Sequence, residues 1–144
     1  MGDMSYYDYA HADLTFLREA ADAGIWGIAY GYMSQSICER FLKELVEQYV
    51  IPQTIEESAV KGTILHTHNL RVLVKYLEKQ TDILLSRQAK NDINTVNGLY
   101  FTTRYPGDDS MDIEEDEAYE FLGCAERVAD EVNRIIKERN KDRD

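Results

Sequence analysis

Histidine and arginine are the side chains best suited to moving a proton or gripping an anion, and this 144-residue sequence has few of the former. The histidines are His11, His66 and His68. His66 and His68 flank Thr67 just before an apolar helical stripe that starts at Leu70. The Thr67 hydroxyl is placed to cap that helix, with His68 in its first turn. His11 lies off the stripe of its own segment and reads as a surface residue. No third ligand accompanies His66 and His68, so no metal site is expected. The sequence has no Gly-rich phosphate loop, nucleophile elbow or His-Glu-x-x-His, so no cofactor is implied. Arg104 stands beside Tyr105 and the rigid Pro106, where it could hold a phosphate or carboxylate bidentately with a ring alongside. Its competing uses are to cap the last carbonyls of its helix or to pair with the acidic run that begins four residues on. Cys38 and Cys124 fall inside helical patterns and read as buried thiols, too few for a disulfide scaffold.

The elements that must position these groups are helical nearly throughout. Tyr6, Ala10, Leu14, Leu17 and Ala21 stripe a first helix that breaks before Gly24. A second runs from Trp26 through Ile37, Phe41 and Leu45 to Tyr49, ending near Pro52. Leu70, Leu73, Val74 and Leu77 mark a short third, and Leu85, Ala89, Ile93, Val96 and Tyr100 a fourth that should end at about Arg104, before Pro106. The fifth is the cleanest, from Ala118 through Leu122, Ala125, Val128 and Val132 to Ile136. No alternating strand run or hairpin signal competes. The expectation is an all-α, antiparallel up-and-down bundle of about five helices, forming a single domain over 1–144. A loop is expected at 51–67, a second around Tyr105-Pro106-Gly107, and a short polar tail at 138–144.

Sixteen basic against 27 acidic side chains leave a net charge of −11. Such a field opposes nucleic-acid phosphates globally while leaving room for a local basic site. Seven of the carboxylates crowd 108–117, at the start of the last helix, and Arg134, Lys137, Arg139, Lys141 and Arg143 crowd its end. Both runs suit the helix dipole, and Asp112 with Glu115 has the spacing of a capping pair. A calcium loop beginning at Asp108 fails, because Ile113 stands where glycine is wanted and Tyr119 where a bidentate glutamate belongs. Ten tyrosines are many for a small core and point to either an interface or plain exposure. No apolar run approaches the roughly 20 residues of a membrane span, and the opening residues lack a signal-peptide pattern. A soluble, cytoplasmic protein is the expectation.

Several segments resemble the HEPN domain family. They are Tyr-Asp-Tyr-Ala-His-Ala-Asp-Leu at 7–14, then Gln35, Glu39, Leu42 and Lys43, then His68-Asn69-Leu70, and finally Arg104-Tyr105-Pro106-Gly107, which is similar to a stretch found in one branch. The resemblance implies a small helical bundle that pairs as a homodimer and, in many members, a metal-independent ribonuclease acting as a toxin beside a minimal nucleotidyltransferase. The ribonuclease signature is an arginine followed, after four to six residues, by a histidine. Here Arg104 meets Asp109, Ser110 and Met111 at those offsets, and no other arginine reaches a histidine. Metal-free RNA cleavage needs a group that titrates near neutrality, and the loop after Arg104 instead carries carboxylates that repel the phosphodiester.

The expected function is therefore a non-catalytic, homodimeric interaction or nucleotide-binding module, with Arg104, Tyr105, His68 and Asn69 as ligand-binding residues. A nucleotidyltransferase is the expected protein partner. The alternative is a divergent ribonuclease in which Arg104 and His68 converge on RNA.

Overall fold

In the computed structural model, which describes residues 3–104 and 112–141 (Arg104 by its backbone alone), the chain is all-helical. Seven helices lie among the described residues: α1 (Tyr6–Asp22), α2 (Ala29–Tyr49), α3 (Ile55–Ile64), α4 (Leu70–Gln80), α5 (Arg87–Val96), α6 (Leu99–Arg104) and α7 (Glu115–Lys141). One apolar core takes buried residues from all of them except α3, whose Ile64 packs against it half-buried. Leu14 and Leu17 of α1, Ile37, Phe41 and Leu45 of α2, Leu73 and Leu77 of α4, Ile93 of α5 and Val128 and Val132 of α7 are buried in it. Each such side chain contributes roughly 1.5–3 kcal/mol by leaving water.

Cross-helix contacts give the directions. Tyr7 with Glu44 and Asp13 with Arg40 run in opposite order, so α1 and α2 are antiparallel. Tyr7 with Asn133 and Arg18 with Glu126 make α1 antiparallel to α7 as well. Tyr30 against Tyr119 and Tyr49 against Arg139 run in the same order, so α2 and α7 are parallel neighbours. Up-and-down alternation thus describes chain order, while the two longest helices descend side by side.

Four boundaries differ from the sequence reading, each for a local reason. The expected loop at 51–67 contains α3, started by the Thr54 hydroxyl, which accepts from the Glu57 amide, while the Glu57 carboxylate accepts from the Gln53 amide. α3 has no buried residue, so its apolar pattern was never that of a core helix. Trp26 precedes α2 instead of opening it and stays 41% exposed. The fourth expected helix is two, because Gly98 sits at φ +95°, a left-handed turn that glycine tolerates, and breaks it into α5 and α6. The tail expected at 138–144 is helical to Lys141, with Glu138 paired to Arg134 and Arg139 to Asp82. The expected loop around Tyr105-Pro106-Gly107 lies outside the described residues.

Two expected caps also move. Asn69, not Thr67, caps α4: the Asn69 side-chain oxygen accepts from the Arg71 amide, while the Thr67 hydroxyl accepts from the Asn69 amide one step earlier. At α7 the Glu114 amide donates to the Glu117 carboxylate, displacing the Asp112–Glu115 pairing.

α5 is fixed to α7 by a bidentate pair, Arg127 to Asp92 at 2.9 and 3.0 Å, with Gln88 also donating to Asp92. Burial pushes the Asp92 carboxyl up, but the hydrogen bonds from Arg127 and Gln88 outweigh it and hold it below its ordinary range. Cys38 and Cys124 are free and buried, and burial raises the Cys124 thiol to about 11, which leaves it unreactive.

α2 is pressed against α6 at Gly31. A β-carbon there would stand 2.7 Å from Ile113 Cδ1 and 2.8 Å from both γ atoms of Thr103, whose hydroxyl is itself bound to the Leu99 carbonyl. Overpacking costs about 1–3 kcal/mol, against a helix-propensity gain of about 1 kcal/mol for alanine over glycine. Gly31→Ala is therefore expected to lower unfolding stability by about 1 kcal/mol. Thr103→Ala in the same chain should recover much of that loss, a coupling that a denaturation double-mutant cycle measures.

Candidate functional site

Gln35, Glu39 and Lys43 recur at intervals of four along α2, so they share one face of it. All three are buried and polar, and with Ser34 and Glu44 they interrupt a buried side of α2 that otherwise carries residues such as Ile37, Phe41 and Leu45. Buried polar groups persist only when paired, and these are. The Gln35 amide donates to the His68 carbonyl at 2.9 Å and accepts from the Tyr100 amide, so one side chain ties the start of α4 and the start of α6 to α2. Glu39 Oε1 meets His68 Nδ1 at 3.1 Å, and Glu39 Oε2 accepts from Lys43 Nζ at 2.9 Å. The His68 ring stacks on Tyr100, centroids 5.4 Å apart and planes 8° from parallel.

Exposure divides this cluster into a floor and a rim. The Glu39 and Lys43 side chains are 11% and 7% exposed, whereas that of His68 is 52% exposed. His68 and Tyr100 stand at the edge of a cleft of about 300 Å³, completed by Asp13, Tyr32, Ser36 and Arg40 among others. Arg40 is spoken for by Asp13 at 2.7 Å and by the Tyr9 ring beneath it. The two carboxylates of the cleft are therefore already matched, Asp13 by Arg40 on the same wall and Glu39 by the buried Lys43 behind it. The cleft offers aromatic faces, a hydroxyl and an imidazole rather than a surplus of charge.

The expected ligand-binding residues are distributed differently from the sequence picture. His68 lies in this cleft. Asn69 instead lines the neighbouring groove between α4 and α5, and its oxygen is occupied by the Arg71 amide and by the Asn97 side chain. Arg104 closes α6 four residues beyond Tyr100, and its side chain, with the whole of Tyr105, lies outside the described residues. His66 turns back on α3, its Nδ1 at 2.7 Å from the Gly62 carbonyl, and His11 stacks on Tyr7 at the surface.

Sequence reasoning missed Tyr100 and the use made of Glu39 and Lys43. Its spacing places Tyr100 on the core stripe of one continuous helix, which the Gly98 break turns aside. The signal for the α2 triad was there: three polar residues at helical spacing inside an apolar face are costly unless they meet something.

The HEPN domain family model matches residues 58–135, more than half of the chain, from within α3 to near the end of α7. The chain belongs to the HEPN domain family. His68, Tyr100 and the Asp92–Arg127 pair fall within the stretch matched to that HEPN family, while Gln35, Glu39 and Lys43 precede it. No curated protein and no solved structure matches the chain. No helix among the described residues is long and apolar enough to cross a membrane.

Removing the Gln35 clamp tests whether the cleft depends on it. Gln35→Leu leaves the His68 carbonyl and the Tyr100 amide unpaired and is expected to cost about 2 kcal/mol in chemical denaturation. Loss of the His68–Tyr100 ring contact, seen as a changed His68 proton shift in the still-folded variant, should accompany it.

Proposed function

We propose that this HEPN domain is a self-associating ligand-binding module that takes a nucleotide in the cleft between α2, the start of α4 and α6. The observation that carries this reading is His68. An imidazole held by a buried carboxylate, an aromatic stack and a clamped backbone is half exposed at the rim of a small cleft. Preorganised groups of this kind cost little further ordering when a ligand arrives. Arg104, ending α6 one turn beyond Tyr100, is the cation assigned to the phosphate, and Tyr105 accompanies it. A minimal nucleotidyltransferase remains the proposed protein partner, on the family resemblance.

Catalysis is not assigned. The family's arginine–histidine spacing is missing, and Asp109, Ser110 and Met111 stand where the histidine would be. The buried thiols add no nucleophile. Ribonuclease activity abolished by Arg104→Ala would replace the binding reading with the enzymatic one.

Self-association is assigned to the turn between α1 and α2. Ile25 and Trp26 of that turn line an apolar groove of about 400 Å³ with Phe16 of α1 and Tyr30 and Met33 of α2, and Phe16 is 61% exposed. Contiguous exposed apolar surface of this sort marks interaction sites.

Calorimetric titration with adenosine 5′-monophosphate should give saturable one-site binding, weakened about tenfold by Arg104→Ala, a loss typical of one charge-assisted hydrogen bond. No heat with any nucleotide would refute the ligand reading. Light scattering should return a dimer mass for the native chain and a monomer mass for Phe16→Glu combined with Ile25→Lys. A monomeric native chain would refute the self-association.

A further inference from the structure

The two nitrogens of His68 have unequal surroundings. Nδ1 is 3.1 Å from a Glu39 oxygen, whereas Nε2 has no hydrogen-bond partner among the described residues. An ionised carboxylate has no proton to give, so a hydrogen bond here requires the hydrogen to sit on Nδ1. Lys43 donates to the other Glu39 oxygen from an equally buried position. Lys43 also balances the Glu39 charge, so the pair presents His68 with an oriented acceptor rather than a net negative charge. Tyr100 and the Gln35 clamp fix the ring plane and the backbone behind it.

We propose that Glu39 and Lys43 are a positioning pair that holds neutral His68 as its Nδ1–H tautomer, making Nε2 a hydrogen-bond acceptor for a hydroxyl- or N–H-bearing ligand group. This deepens the nucleotide reading above and rests on it for the ligand, though not for the tautomer. Free histidine in water favours the opposite tautomer, with the proton on Nε2, so the arrangement reverses the default.

The consequence is selectivity within the cleft. A neutral imidazole with its lone pair outward repels the oxygen of a phosphate and accepts from a sugar hydroxyl. Among the described residues, the Asp13–Arg40 and Glu39–Lys43 pairs leave no surplus cation beside it. At this end of the cleft the structure therefore favours the nucleoside part of a nucleotide, and the phosphate is left to another region. A structural role for Glu39 alone, filling space and pairing with Lys43, would be indifferent to the histidine tautomer. That indifference gives the test its discriminating power.

The experiment is a long-range proton–nitrogen NMR spectrum of the full chain at about pH 8, above the ordinary histidine range. His68 should read as Nδ1–H, and exposed His11 as Nε2–H in the same spectrum. An Nε2–H signal from His68 in the native chain overturns the proposal without any variant. Glu39→Leu with Lys43→Met removes both buried charges together, so neither is stranded. In that variant, with helicity confirmed by circular dichroism, His68 should revert to Nε2–H. Retention of Nδ1–H there would also overturn the assignment. Adenosine and inorganic phosphate are then titrated separately. Adenosine should shift His68 Nε2 and phosphate should not, and the paired variant should bind adenosine about tenfold more weakly. A shift of Nε2 by phosphate alone would contradict the acceptor role. An Nδ1–H tautomer with no response to adenosine or its monophosphate would uphold the positioning pair and refute the nucleotide reading.

Discussion

The buried amide of Gln35 is the constraint on which the rest of the site depends. An amide side chain has a donor end and an acceptor end, and here each is used by a different helix: the His68 carbonyl before α4 and the Tyr100 amide at the start of α6. Neither α4 nor α6 could shift along α2 without leaving a polar group unpaired in a region largely closed to water. His68 and Tyr100 are thereby brought to the same level, which is what allows their rings to stack. Four residues on, Glu39 meets the His68 ring itself, and four further on Lys43 satisfies Glu39. A single helical face thus fixes the backbone, the ring plane and the ring's hydrogen-bond direction in ascending order.

The arrangement also accounts for how an acidic chain can keep a neutral cleft. The −11 charge draws on seven carboxylates within 108–117, of which Asp112, Glu114, Glu115 and Asp116 are exposed. Inside the cleft each carboxylate has its cation, Asp13 with Arg40 and Glu39 with Lys43. A different balance holds in the groove between α4 and α5. There Arg71, Lys75 and Lys90 face one acidic side chain, Glu78, which pairs with Lys90 at 2.9 Å. Net charge therefore describes how the molecule looks from afar and says little about any one concavity.

What was legible in the sequence follows from what periodicity can carry. Leu14, Phe41, Leu73 and Val128 announced their helices because each repeats at helical spacing with other apolar residues, and all are buried. α3 was not legible as a helix, because its start depends on Thr54 accepting from the Glu57 amide and Glu57 from the Gln53 amide, and none of its residues is fully buried. His68 was legible as a candidate by type and position. Its partner Glu39 was not, since a carboxylate 29 residues earlier has no sequence relation to it until α2 and the start of α4 are brought together. Asn69 looked equivalent to His68 in the sequence, but a cap residue must spend its oxygen on its own helix, and this one does.

The break at Gly98 is the remaining step between pattern and site. Had α5 continued, Tyr100 would lie four residues after Val96 on the face that packs into the core, as the uninterrupted stripe suggests. Asn97 ends that helix in an extended conformation, and Gly98 follows with a positive φ, so α6 leaves on a new axis. The same turn uses its side chains to hold α4, since Asn97 accepts from the Leu70 amide and donates to Asn69. One glycine and one asparagine therefore redirect an aromatic residue from core filler to the stacking partner of His68, while fixing the helix start that His68 precedes. A side chain other than glycine at position 98 would strain that turn, and its effect would be felt at the cleft before it was felt in the core.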